Sequence, residues 1–383
     1  MRPVILIPGI GGSIIVPKGH EYRRMFHTMV PNNRWIHLYA FTQKEINQWK
    51  KDMGHDYLFD EYGKITGIVP HRHIVPLDIG GTKGVRDIVP EFLWMPEKYQ
   101  EIIEELFHSR YFGYICDHLH KKGYKDHYDL FGIPYDFRMI LDPNIRHLMF
   151  QDMKKSIEEG CYNTGKSAVI ITHSLGGILL KWFLTTEVTH EWTKEHIKRW
   201  ICISAPFGGS QSALKGATSG EHYVPALRPY VKDELQRITG IVMCLPNRLA
   251  FDPNQTLATI ADHKVTIRDY DKFAEQGVIP FKLWKDLYEP HLPIMEARVS
   301  VPTDIVIAKD VPTLGAFYSK SWNDPPYSKF QCTGDGMVPS HSLQAFEKIL
   351  DHKHVKEVTL PNTDHTLLLS NPSVWHIIKS YIH

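Results

Sequence analysis

Ala168-Val169-Ile170-Ile171-Thr172-His173-Ser174-Leu175-Gly176-Gly177 runs an apolar, β-branched segment straight into a serine and two glycines. The run reads as a buried strand. Leu175 to Thr189 then carries apolar residues at helical spacing, so Ser174 stands where a strand turns sharply into a helix. Backbone at such a corner is strained, and the residues two before and two after the serine must let strand and helix pack closely. Gly176 meets that demand. Thr172 stands where glycine is usual, and its branched side chain is tolerable only if it points away from the helix. A serine at a helix start can also be a simple N-cap. The strand before it and the glycines after it favour a nucleophile elbow.

Working outward, four more short apolar runs are bounded by Gly, Pro or polar residues: Val4 to Ile7, Trp200 to Ser204, Asp304 to Ala308 and Val355 to Leu360. Helical spacing recurs between the strands, over Glu97 to Phe107 and Ile145 to Glu159. This alternation predicts a mostly parallel sheet covered by helices on both faces. Two stretches break it, Pro17 to Pro96 and Pro206 to Met295, where aromatic residues mix with Gly, Pro, Asn and Asp. The reading is a core of residues 1–205 and 296–383, a lid excursion within 17–96, and a cap inserted over 206–295.

A serine hydroxyl needs a histidine to remove its proton, and that histidine needs a carboxylate to fix its tautomer. In the α/β-hydrolase fold the chain order is serine, acid, histidine. Asp335, between Gly334 and Gly336, suits a tight loop after a strand and is the expected acid; Asp304 and Asp310 are alternatives. His365 follows the last strand in Asn362-Thr363-Asp364-His365 and is the expected base, with His341 and His376 as alternatives. The oxyanion hole takes one backbone N–H from Leu175 and a second from the loop after an early strand. Pro8-Gly9-Ile10-Gly11-Gly12-Ser13 follows Val4 to Ile7, which makes Ile10 the expected donor. A glycine-rich loop can also cradle phosphate, but neither G-K-[ST] nor G-x-G-x-x-G is present.

Composition narrows the class. In 383 residues, 44 basic and 43 acidic side chains nearly cancel, which leaves no electrostatic footprint for nucleic acid. Cys116, Cys161, Cys202, Cys244 and Cys332 are scattered and odd in number, so no disulfide framework is expected. His71, His73, His352 and His354 lack metal-ligand spacing and read as surface residues. The expectation is therefore no cofactor and no metal. Pro8 ends the first apolar run too early for a signal peptide, and no stretch approaches the roughly 18 apolar residues of a membrane span. A cytoplasmic protein with peripheral contact to membranes is expected.

Taken together, several segments resemble the lecithin:cholesterol acyltransferase family, which includes lysosomal phospholipase A and the phospholipid:diacylglycerol acyltransferases. They are Pro3 to Gly9, Gly132-Ile133-Pro134-Tyr135-Asp136-Phe137-Arg138, the elbow at Ser174, Ser204-Ala205-Pro206-Phe207-Gly208-Gly209-Ser210, Gly334-Asp335-Gly336 and Asp364-His365. They run in the family's order over nearly the whole chain, with Phe137 where tryptophan is more usual. The resemblance implies Ser174, Asp335 and His365 as triad, Ile10 and Leu175 at the oxyanion hole, and a phospholipid or other acyl-ester lipid as substrate. It also implies a ping-pong course that passes the acyl chain to water or an alcohol. The chain departs from secreted members in having no cysteine between Gly9 and Phe112 to close a lid loop. Two aromatic clusters, Trp35, Leu38, Tyr39, Phe41 and Trp49, and Phe92, Leu93, Trp94 and Met95, would dip into lipid, line an acyl channel or pack the excursion on the core. A general carboxylesterase on soluble esters and a catalytically silent lipid-binding protein are the competing functions.

Overall fold

The computed structural model describes residues 1–18, 47, 50–87, 110–220, 228–322 and 324–383. The helix expected over Glu97 to Phe107 and both aromatic clusters lie outside the described residues. Strands are β1 (Val4–Ile7), β2 (Ile15–Pro17), β3 (His55–Phe59), β4 (Ile65–Pro70), β5 (Ile74–Pro76), β6 (Leu130–Gly132) and β7 (Ala168–His173). They continue with β8 (Ile197–Ile203), β9 (Ala258–Ile260), β10 (His263–Val265), β11 (Thr303–Ile307), β12 (Val311–Ser319), β13 (Ser328–Gly334) and β14 (Val355–Thr359).

Six strands form the central sheet in the order β14-β11-β8-β7-β1-β6, every neighbouring pair parallel. This is the α/β-hydrolase fold that the apolar runs predict. β1, β7 and β11 are buried at every position, because helices cover both sheet faces and leave no solvent side for a polar alternation. Ile5 and Ile7 pack into one hydrophobic cluster, Val4 and Leu6 into another, so the two clusters lie on opposite faces.

Chain order reverses at β1, which has β6 on one side and β7 on the other. The carboxyl ends of β1 and β7 thus lie side by side where the strand order reverses, the place where ligands bind in open α/β sheets. Helix α1 (Gly113–Lys121) precedes β6. The long α2 (Pro143–Thr164) starts at Asp142, whose carboxylate accepts from Asn144 N and Ile145 N, and stops at Gly165 with φ 65°. Helix α3 (Leu175–Thr186) follows the elbow and stops short of Thr189, because Thr189 caps the next helix by accepting from Trp192 N.

Segment 206–295 is knit into the molecule. A second sheet, β10-β9-β12-β13, pairs β9 in parallel with β12, Phe317 opposite Ala258, and so joins residues on both sides of position 296. Within 17–96 the described residues form two antiparallel pairs, β2 with β5 and β3 with β4. The β3–β4 hairpin is tied to the core by Ile68 N–H donating to Asp142 at 3.0 Å and Ile65 N–H donating to Asp286 at 2.8 Å.

Candidate active site

Ser174 leaves β7 with φ 54° and ψ −126°, and its side chain caps nothing, which removes the N-cap reading. Ser174 N–H donates to Ile203 O at 2.9 Å, fixing the corner to β8. Three glycines make room for it. A Cβ on Gly176 would lie 2.4 Å from Ile7 O and 2.6 Å from Pro8 O, so only glycine lets α3 pass this close to the end of β1. A Cβ on Gly9 would lie 2.7 Å from Ser174 Cβ, and one on Gly177 would lie 2.6 Å from Ala205 Cβ. Thr172, the departure from the usual glycine, is accommodated sideways. Its Oγ1 accepts from Trp200 Nε1 at 2.8 Å on the neighbouring strand β8, which turns the branched side chain toward a hydrogen-bond partner within the sheet.

Asp335 follows β13 in a tight turn and is fully buried. One carboxylate oxygen accepts from Met337 N–H at 2.9 Å and Val338 N–H at 2.7 Å; the other lies 2.6 Å from His365 Nδ1. Burial alone would raise the pKa of this carboxyl. His365 and the two N–H groups outweigh it and hold Asp335 below the ordinary range. The base loop is fastened to the acid turn a second time by His365 N–H donating to Asp335 O at 2.7 Å. An ionised Asp335 fixes the proton of His365 on Nδ1, which leaves Nε2 with a lone pair for general-base work.

The alternatives lie elsewhere. Asp304 lies second in β11 and meets Arg199 at 2.5 Å, and Asp310 accepts from Asn362 N–H. His341 packs edge-on to Phe251, and His376 bonds Pro372 O within its own helix.

Gly12 N–H donates to Gly9 O at 3.2 Å and closes a turn with Ile10 inside it. Leu175 opens α3, so its N–H is a first-turn donor with no acceptor within the helix. The side chains of Ile10 and Leu175 come together over Gly240, whose Cβ would lie 3.4 Å and 3.1 Å from them. The arrangement can offer two backbone donors to one developing oxyanion.

Tyr111 and His173 escaped the sequence reading, whereas Asp136 and Arg138 brace loops, as their place in the Tyr135-Asp136-Phe137-Arg138 run suggests. His173 is buried between Tyr111 and the base loop: its Nδ1 is 2.5 Å from Tyr111 Oη, its Nε2 is 3.0 Å from His365 O, and its ring centroid is 4.7 Å from that of His365. Tyr111 in turn accepts from Gly9 N–H at 2.8 Å. Tyr135 braces the same turn by donating to Pro8 O at 3.0 Å, while Arg138 forms a buried pair with Asp136 and donates to Asp52 O. Ser210 Oγ donates to Met337 O at 2.5 Å and steadies the acid turn from the Ala205-Pro206-Phe207-Gly208-Gly209-Ser210 segment. Among the described residues no group of three or more His, Cys, Asp or Glu is placed to hold a metal, and no helix is long and apolar enough to cross a membrane.

The chain is similar in sequence and fold to several known proteins. Over 276 residues the chain is 27% identical to the lysosomal phospholipase A and acyltransferase of Canis lupus familiaris, a match covering 70% of this chain and 66% of that protein. It is 25% identical to the lecithin-cholesterol acyltransferase-like 1 protein of Arabidopsis thaliana, over 96% of this chain and 87% of the other. Human phosphatidylcholine-sterol acyltransferase is 26% identical, with 71% of this chain and 59% of that enzyme covered. Among solved structures, the crystal structure of the Tle4–Tli4 complex superposes with a TM-score of 0.54 at 14% identity, over 99% of this chain and 98% of the other, a likeness of fold. The family model for lecithin:cholesterol acyltransferase matches residues 100–294, just over half the chain. That span holds Ser174 and ends before Asp335 and His365, whose pairing rests on the geometry above. On the strength of that match, the chain belongs to the lecithin:cholesterol acyltransferase family.

Proposed function

We propose that the chain is a serine acyl hydrolase and acyltransferase that takes a fatty acyl group from a glycerophospholipid and passes it to water or an alcohol. The observation that carries the reading is the buried Asp335–His365 pair, with the His365 ring 4.7 Å between centroids from that of His173, the residue just before a serine in a strained elbow conformation. The relatives named above as phospholipase A and phosphatidylcholine-sterol acyltransferase support a phospholipid as acyl donor.

In the proposed cycle His365 Nε2 takes the Ser174 proton as Oγ attacks the ester carbonyl. The new oxyanion is held by the N–H groups of Ile10 and Leu175, and Asp335 stays ionised while it stabilises the imidazolium. Collapse breaks the ester C–O bond, the lysolipid oxygen leaves with the proton from His365, and the acyl group remains on Ser174. His365 then deprotonates water or an alcohol, which attacks the acyl-enzyme and restores the serine hydroxyl.

Contact with a lipid surface is part of the reading. The β3–β4 hairpin turns Leu58, Phe59, Tyr62 and Val69 to solvent, between 43% and 86% exposed, and apolar side chains on a protruding turn suit the interfacial zone of a bilayer.

The test is acyl release from mixed phospholipid liposomes, with and without an added alcohol, by wild type, S174A and H365A. Release that both variants abolish supports the reading, and the ratio of free fatty acid to acylated alcohol tells hydrolysis from transfer. Cleavage of short soluble esters alone would point to a general carboxylesterase, and turnover of neither to a silent lipid-binding protein.

A further inference from the structure

We infer that Tyr111 and His173 form a positioning clamp that holds the oxyanion turn and the base loop in register with Ser174, a role that rests on the serine-hydrolase reading above. The bonds fix their own protons. His365 O can only accept, so His173 Nε2 carries the hydrogen; Nδ1 then has a lone pair, so Tyr111 O–H donates to it, and the Tyr111 oxygen is free to accept from Gly9 N–H. Every partner in this chain is buried, Tyr111 at 6% exposure and His173 at 2%. Burial, with His365 beside it, lowers the pKa of His173 to about 3, so the neutral tautomer the chain requires persists across the working range.

The clamp explains the glycines after β1. A Cβ on Gly12 would lie 2.6 Å from Tyr111 Cε1 and Cζ, and one on Gly9 would lie 3.2 Å from Tyr111 Oη. The glycine-rich loop is thus a seat for the Tyr111 ring. Its outcome is positional. One hydroxyl joins the turn carrying Ile10 to the residue preceding Ser174, and that residue's far ring nitrogen holds the carbonyl of the catalytic base. Loss of the hydroxyl leaves Gly9 N–H and His173 Nδ1 without it, and both loops are then released from the elbow.

The experiment compares wild type, Tyr111→Phe, His173→Leu and the double variant on phospholipid liposomes and on a soluble butyrate ester. Each single variant is expected to lose about 10- to 100-fold in kcat with KM within about twofold of wild type, the cost of misplacing reacting groups by a fraction of an ångström. The double variant should lose no more than the worse single one, because both break the same chain of bonds. A Y111F enzyme within twofold of wild type in kcat, or losses that multiply in the double variant, would overturn the clamp. Should the variants fail to fold, imidazole 15N spectra of wild type decide: His173 must hold its hydrogen on Nε2 from pH 5 to 9, and a hydrogen on Nδ1 contradicts the assignment. A wild type without turnover defeats the hydrolase reading, while the 15N spectra still judge the network.

Discussion

A single methyl group at Gly176 would decide whether the elbow closes, since its carbon would fall 2.4 Å from Ile7 O, a backbone atom that cannot swing aside. G176A is expected to cost about 1–3 kcal/mol of stability by overpacking and to lower kcat, read by thermal melting and ester turnover. An unchanged melting point would mean that strand and helix are less tightly apposed than described. Thr172 and Trp200 offer a second check. Replacing Trp200 by Phe removes the donor to a fully buried hydroxyl, and the loss should be about 1–3 kcal/mol in denaturant unfolding. Ser174, Asp335 and His365 were legible in the sequence because each sits in a short local pattern. Tyr111 was not, because its partners Gly9 and His173 lie 102 and 62 residues away and only the fold brings them together. His173 was in plain view within the elbow, but spacing carries no sign of what its ring touches.

Among the elements, α2 and the β3–β4 hairpin meet at one side chain. Asp142 caps α2 through one oxygen and accepts Ile68 N–H through the other, so D142A removes a cap and a tether together. A loss of about 2 kcal/mol is expected in chemical denaturation; a loss of a few tenths would mean that water replaces both bonds at little cost. The hairpin's exposed apolar residues give a separable prediction. The double replacement L58D and F59D should weaken association with liposomes in flotation while soluble-ester turnover stays near wild type, and equal flotation would remove the hairpin from the lipid contact. Strands β1, β7 and β11 were legible as apolar runs because burial on both faces erases alternation, β8 because its second half is fully buried, and the edge strand β14 from Val355 and Val358, half-buried among exposed residues. β6 was missed because three residues ending in Gly132 carry no period. β12 and β13 were missed because β12 mixes buried Thr313, Phe317 and Ser319 with half-exposed neighbours, and most of β13 faces solvent.

For the whole molecule, stability should depend on pH through histidines that fold neutral. His55 is fully buried, and its pKa falls from 6.5 to about 4, chiefly by desolvation and then by the charge of Arg138; His173 falls to about 3. Unfolding returns both to their ordinary value, so below about pH 6.5 the unfolded chain binds more protons than the native one. Their contribution is complete above that pH and declines as pH falls toward 4. For His55 alone the decline is roughly 3 kcal/mol. Melting temperatures should therefore drop from pH 7 to pH 4, with a shallower slope in H55L; parallel slopes would assign the acid sensitivity to other groups.

The elbow, the acid–base pair and the family place one covalent event at the centre of the account, and acid quench during turnover observes it. Wild type is mixed with phosphatidylcholine liposomes carrying a labelled acyl chain, quenched within the first turnover, digested and mapped. The account predicts an acyl ester on the peptide holding Ser174, absent in S174A and formed more slowly in D335N. Label on another residue, or lysolipid release with no acylated protein at any quench time, would contradict it.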